Sequence, residues 1–113
     1  RVPLKVDVIR DRGALAREVE DGRVENTFRL QVMNTSERAQ AYALSASGLP
    51  GLAIDSDPTF ELPGAASRSV LVRLRARPED IPPGSNKIII GVKAVDDPKL
   101  AVQEKTVFLG LKR

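Results

Sequence analysis

Arg73, Arg75 and Arg77 form the most suggestive chemical grouping in this sequence of 113 residues. Spaced by two, they share one side of an extended strand, with guanidinium groups roughly 6–7 Å apart per step. Such a row can fork onto carboxylates, phosphates or lipid headgroups. It can also be a solvated face whose cations pair with acids on the next strand, which is the plainer reading. The three arginines are the candidate partner-binding residues.

Composition removes the thiol and imidazole nucleophiles. The chain has no Cys, no His and a single Met. That removes thiol and imidazole chemistry, disulfides, zinc sites, iron–sulfur ligation and the ligands that soft copper prefers. No G-x-S-x-G elbow is present, so acyl transfer lacks a nucleophile and base. Glu18, Glu20 and Asp21 cluster, but without flanking apolar residues to perturb their pKa values they read as a solvated loop. Asp55-Ser56-Asp57 starts like a calcium loop, yet Pro58 follows where the motif needs further ligands, so it reads as a turn. Asn34-Thr35-Ser36 matches a glycosylation pattern but is sufficient as a turn. No catalytic, cofactor or metal site is expected in this stretch.

Two further groups suit structural bracing. Arg10-Asp11-Arg12 closes the first strand with three consecutive charges, fit for a fixed ion pair or a braced turn. Asn26 and Asn34 share the inward parity of the second long strand. An inward Asn must be hydrogen-bonded, so both are expected to tie loops to the strand ends.

The elements that position these residues show period two. Leu4, Val6 and Val8 alternate with polar residues, as do Phe28, Leu30 and Val32. Tyr42, Leu44 and Ala46, then Val70, Val72, Leu74 and Ala76, then Ile88, Ile90, Val92 and Ala94, keep one parity each. Alternation puts one set in a core and the other in water, as in antiparallel sheets. Turn residues punctuate the runs at 21–22, 34–36, 48–51, 63–64, 82–86 and 96–98. Strands are expected near 3–9, 24–34, 39–48, 58–62, 68–76, 86–95 and 102–111, with a short one at 52–55. Residues 14–20 suit either a helical turn or an edge segment. In the last strand Val107, Leu109 and Leu111 are expected inside and Phe108 outside, partly covered. Seven or eight short strands make an all-β, immunoglobulin-like antiparallel sandwich without the Cys–Trp–Cys hallmark.

Length fits one domain, residues 1–113. A net charge of +3 and 4% aromatic content do not suit a nucleic-acid binder, which clusters basic residues with aromatics. No apolar run approaches the ~18 residues of a membrane span. The start at Arg1 suggests a piece of a longer protein.

The order Arg10-Asp11-Arg12, Glu25-Asn26 with Phe28, Asn34-Thr35, Gly48-Leu49 and Phe108-Leu109-Gly110 resembles the C-terminal immunoglobulin-like domain of the FixG/CcoG family. Phe28, Gly13 and Leu111 stand where the family more often has Tyr, Asn and Pro. The resemblance implies a cytochrome c oxidase accessory protein with a membrane-spanning part and iron–sulfur clusters in the missing N-terminal part. It implies reduction of cupric to cuprous ion for assembly of a cbb-type oxidase. This stretch would be a non-catalytic domain on the periplasmic side of the bacterial inner membrane. A protein partner in oxidase assembly is expected, with membrane contact through the missing part, no nucleic acid and no small-molecule substrate. The alternative is a generic immunoglobulin- or fibronectin-like module of a surface protein, binding protein or carbohydrate.

Overall fold

The computed structural model describes residues 2–10 and 16–111. Nine strands follow in order: β1 (Leu4–Arg10), β2 (Arg17–Glu18), β3 (Val24–Asn34), β4 (Gln40–Ser47), β5 (Ala53–Ile54), β6 (Thr59–Leu62), β7 (Ser67–Ala76), β8 (Ser85–Ala94) and β9 (Ala101–Leu109). A 3-10 turn, Pro78–Asp80, links β7 to β8. Every pairing is antiparallel. One sheet has the order β1-β3-β7-β5, with β2 also on β3, and the other is β6-β4-β8-β9. The expected sandwich is therefore the fold.

The alternation produces the core directly. Phe28, Leu30 and Val32 of β3 and Val72 and Leu74 of β7 face Leu44 of β4 and Ile88, Ile90 and Val92 of β8, all of them buried. Aligned sheets of this kind interdigitate through such inner faces, roughly 10 Å apart. β2 resolves the ambiguous 14–20 region in favour of an edge segment at Arg17–Glu18, paired with Val24 and Glu25. Residues 14 and 15 lie outside the described residues.

The last strand corrects one expectation. Phe108 is fully buried, while Val107 and Leu109 are only half-covered on the opposite face. The register explains the reversal. Val102, Glu104 and Thr106 stand opposite Val92, Ile90 and Ile88, so the even residues of β9 share the core face of β8. Phe108 has the same parity and carries the largest apolar surface of the strand. One buried aromatic ring removes roughly 150–250 Å² from water. Counting aliphatics favoured the wrong face, because β9 is an edge strand whose inward residues are only partly covered until Phe108.

Close approach fixes one glycine. Gly48 has φ +124, and a Cβ there would sit 2.8 Å from the Lys87 carbonyl oxygen. Only glycine lets the β4–β5 turn lie against β8 in that conformation.

Candidate functional site

Glu25 is the residue that the sequence did not reveal. It lies on the outer face of its sheet, yet it is only 1% exposed. Register places Arg75 of β7 opposite it on one side and Arg17 of β2 on the other. The Arg75 Nε donates to Oε2 at 2.8 Å, and the Arg17 Nε donates to Oε1 at 3.0 Å. A second Arg75 nitrogen reaches Asp55 Oδ2 at 3.0 Å. Four charges from β2, β3, β7 and the end of β5 thus form one chain, and the guanidinium groups cover the Glu25 carboxylate.

Burial pushes the Glu25 carboxyl up, but hydrogen bonds from Arg75 and Arg17 outweigh it and hold the pKa below its usual range. Arg75 is raised in turn, chiefly by its hydrogen bond to Glu25. A general base needs a free lone pair and a pKa near working pH. Glu25 has both oxygens engaged and a lowered pKa, so this cluster is a structural clamp and no acid–base pair.

The arginine row does not act as one unit. Arg75 is 20% exposed and committed to Glu25 and Asp55. Arg73 is half-buried and donates from Nε to the Asp55 carbonyl oxygen at 3.3 Å. Arg77 is exposed and lines an open cleft with Asp21, Arg23, Glu79 and Asp80. Acids therefore hold the centre of the row, and Arg77 alone of the three is exposed.

Asn26 and Asn34 each join their strand to another part of the fold. The Asn26 amide donates to the Leu109 carbonyl at 3.0 Å and accepts the Leu109 N–H at 2.8 Å. A side chain of one sheet thus mimics a neighbouring strand for the last residue of the other. Asn34 joins two turns. Its Nδ2 donates to Arg38 O at 2.8 Å, to Pro63 O at 3.1 Å and to Leu62 O at 3.3 Å, while Oδ1 accepts the N–H and hydroxyl of Ser36. The Asn34-Thr35-Ser36 tripeptide is thus a turn whose Asn side chain is buried. Asp11, Arg12 and the side chain of Arg10 lie outside the described residues.

The acids near the first turn are solvated: Glu18 at the end of β2, and Glu20 and Asp21 in the turn that follows. Asp21 accepts from the backbone and side chain of Arg23. Asp57 accepts the backbone N–H of Thr59, a turn contact. Among the described residues no group of three or more His, Cys, Asp or Glu comes together that could hold a metal. An iron–sulfur cluster needs thiolates, and the chain has no Cys to offer, so the cluster implied for the family does not fit these residues. Tyr42 is fully buried against Phe60, ring centroids 5.4 Å apart, and its hydroxyl has no partner among the described residues. Among the described residues no helix is long and apolar enough to cross a membrane.

Comparison with known proteins accords with this architecture. The chain is similar over 97% of its length to a FixG-related protein from Vibrio parahaemolyticus, known from a crystal structure. The TM-score is 0.85, the identity 24%, and 98% of that chain is covered, so the two share a fold over the same extent. Among curated proteins none matches. Residues 1–111 match the family model described as "IG-like fold at C-terminal of FixG, putative oxidoreductase". With the match spanning both sheets and both asparagine braces, the chain belongs to the family of immunoglobulin-like C-terminal domains of FixG.

Proposed function

We propose that this chain is the non-catalytic accessory domain of a FixG/CcoG-like membrane protein that supports copper reduction and assembly of a cbb-type cytochrome c oxidase. The observation that carries the reading is the family match over residues 1–111. Composition supports the division of labour: with neither Cys nor His, the electron-transfer centres must sit elsewhere in the full-length protein. The clusters belong in the N-terminal part and the domain on the periplasmic side of the inner membrane. There its rigid sandwich would dock a protein partner of oxidase assembly.

The test is deletion of this domain from the full-length protein in cells. The accessory reading expects the truncated protein to reach the membrane while cbb-type oxidase activity falls. Protease added to spheroplasts should cleave the domain in the intact protein. Normal oxidase activity without the domain, or a domain shielded from that protease, would contradict the proposal.

A further inference from the structure

The outer face of the β6-β4-β8-β9 sheet carries one sign of charge along its centre. The residues of β4, β8 and β9 that turn away from the core are the odd ones, and strand register sets them in cross-strand rows. Ser45, Gly91 and Gln103 form one row. Lys93 stands in the row on one side of it, and Ile89 and Lys105 in the row on the other; Lys87 and Val107 come next. Lys87, Lys93 and Lys105 are exposed, and none forms an ion pair among the described residues. Lys87 and Lys93 lie roughly 20 Å apart along β8, with Lys105 between them on β9. No acidic residue shares the outer parity of β4, β8 or β9. Acids border the face instead: Glu61 lies on β6, Glu104 has the inner parity of β9, and Asp96 and Asp97 follow β8.

The face also has relief. A Cβ on Gly91 would sit 2.5 Å from the Ser45 Oγ, so only glycine fits there, and a glycine inside a strand leaves room for close approach. Around it is a hollow of about 250 Å³ with Ser45, Lys93 and Gln103 on its rim. A second hollow, about 510 Å³, lies over Ile89 and Val107 between Lys87 and Lys105. Hydroxyl, amide and ammonium groups donate hydrogen bonds, and aliphatic side chains lie beside them. That combination suits anionic oxygens borne on apolar chains. Protein interfaces concentrate their energy in Trp, Tyr and Arg, and the outer parity of β4, β8 and β9 holds no Arg and no aromatic residue. Lysine is a flexible point charge rather than a planar fork. It serves a layer of mobile phosphates better than one fixed carboxylate, with its stem along aliphatic surface and its ammonium among the headgroups.

We propose that this face docks the domain on an anionic lipid surface, with Lys87, Lys93 and Lys105 at headgroup phosphates and Ser45 and Gln103 donating from the rim of the Gly91 hollow. A lysine close to an anionic bilayer contributes roughly fivefold to partitioning, so three give a preference of about 100-fold for anionic over neutral lipid. That is weak for a free domain but enough to orient one already held beside a membrane. The inference goes beyond the accessory-domain reading. Vesicle binding by the chain itself and deletion in cells can each fail without the other.

The chain buries its own core and can be tested alone. Flotation compares vesicles of equal parts phosphatidylglycerol and phosphatidylcholine with vesicles of phosphatidylcholine. The wild type should prefer the anionic vesicles by about 100-fold at low salt and lose that preference at about 1 M salt, where screening acts within about 3 Å. Replacing Lys87, Lys93 and Lys105 together by Gln should abolish the preference. A control variant, Lys5→Gln, Arg29→Gln and Arg68→Gln, removes the same charge from exposed positions of the other sheet and should keep most of it. Both variants change exposed side chains, and the salt response of the wild type stands whether or not they fold. Millimolar inorganic phosphate at matched ionic strength should not release the chain, since one phosphate cannot replace a layer of them. The proposal is overturned if neutral vesicles bind equally, if the two variants lose binding alike, if inorganic phosphate releases the chain, or if a Glu-rich peptide is bound more tightly than the anionic vesicles.

Discussion

Replacing Asn26 by Ala should be among the most damaging polar substitutions in this domain. The side chain is fully buried and makes both a 2.8 Å and a 3.0 Å hydrogen bond to Leu109. Its loss strands one backbone donor and one acceptor, each worth about 1–3 kcal/mol when left unpaired and buried. Leu109 is half-covered, so water recovers part of that, and the net cost should be about 2–4 kcal/mol. For a domain of this size that lowers the melting temperature by roughly 10–20 °C. Urea unfolding followed by far-UV circular dichroism measures it, with an unchanged m-value as the condition for comparison. Asn26→Asp separates the two bonds. Its carboxylate still accepts from the Leu109 N–H but opposes the Leu109 carbonyl at neutral pH. The deficit should shrink on acidification, as a protonated carboxyl regains the donor, after subtraction of the wild-type acid response. A cost for Asn26→Ala below about 1 kcal/mol, typical of a surface position, would refute the claim that this side chain stands in for a strand.

Other consequences are equally measurable. Phe108→Ala should cost about 3–5 kcal/mol in urea unfolding, whereas the half-exposed Val107→Ala should cost far less; the reverse order would restore the opposite parity for β9. Glu25 has a lowered folded pKa, so its contribution is present above its ordinary value of 4.5 and is lost as pH falls through the folded value. The wild type should therefore lose stability on acidification below about pH 4.5, and Glu25→Gln should be less stable at neutral pH but flatter in that window. An equal pH slope in both proteins would show that the clamp contributes nothing. Tyr42 is the single Tyr, and the chain has no Trp, so its ionisation can be followed cleanly by absorbance. Burial pushes its pKa above 10.0, so stability that is full below that value should decline as pH rises through the folded pKa. Free titration of folded Tyr42 at its ordinary value would place its hydroxyl in water.

Long alternating runs were legible because each has one face that only a core can satisfy. Phe28, Leu30 and Val32 needed no knowledge of their neighbours, and Asn26 and Asn34 announced themselves as polar residues on an apolar parity. Glu25 did not, since its parity is outward and an outward Glu is ordinarily solvated. Its burial depends on Arg17 and Arg75, which lie 8 and 50 residues away in sequence and meet it only through strand register. The same dependence explains Phe108: its direction follows from its pairing with Asn86 on β8, which the local pattern does not specify. For the arginine row, spacing correctly put Arg73 and Arg75 on one strand, while Arg77 falls just past its end, at the start of the 3-10 turn. Spacing could not show that Asp55 arrives from β5 to occupy Arg75.

The proposed role, a domain that serves a copper-reducing, iron–sulfur-containing oxidoreductase without performing its chemistry, is tested most directly on purified full-length protein with and without residues 1–111. The measurement is the rate of cuprous ion formed from cupric ion under an excess of electron donor, normalised to iron–sulfur content. An accessory domain predicts rates that agree within a few-fold, because the deleted part has neither Cys nor His to hold a redox centre. A truncated protein that keeps its cluster spectrum but no longer reduces cupric ion would contradict the account and place the domain in the reaction itself.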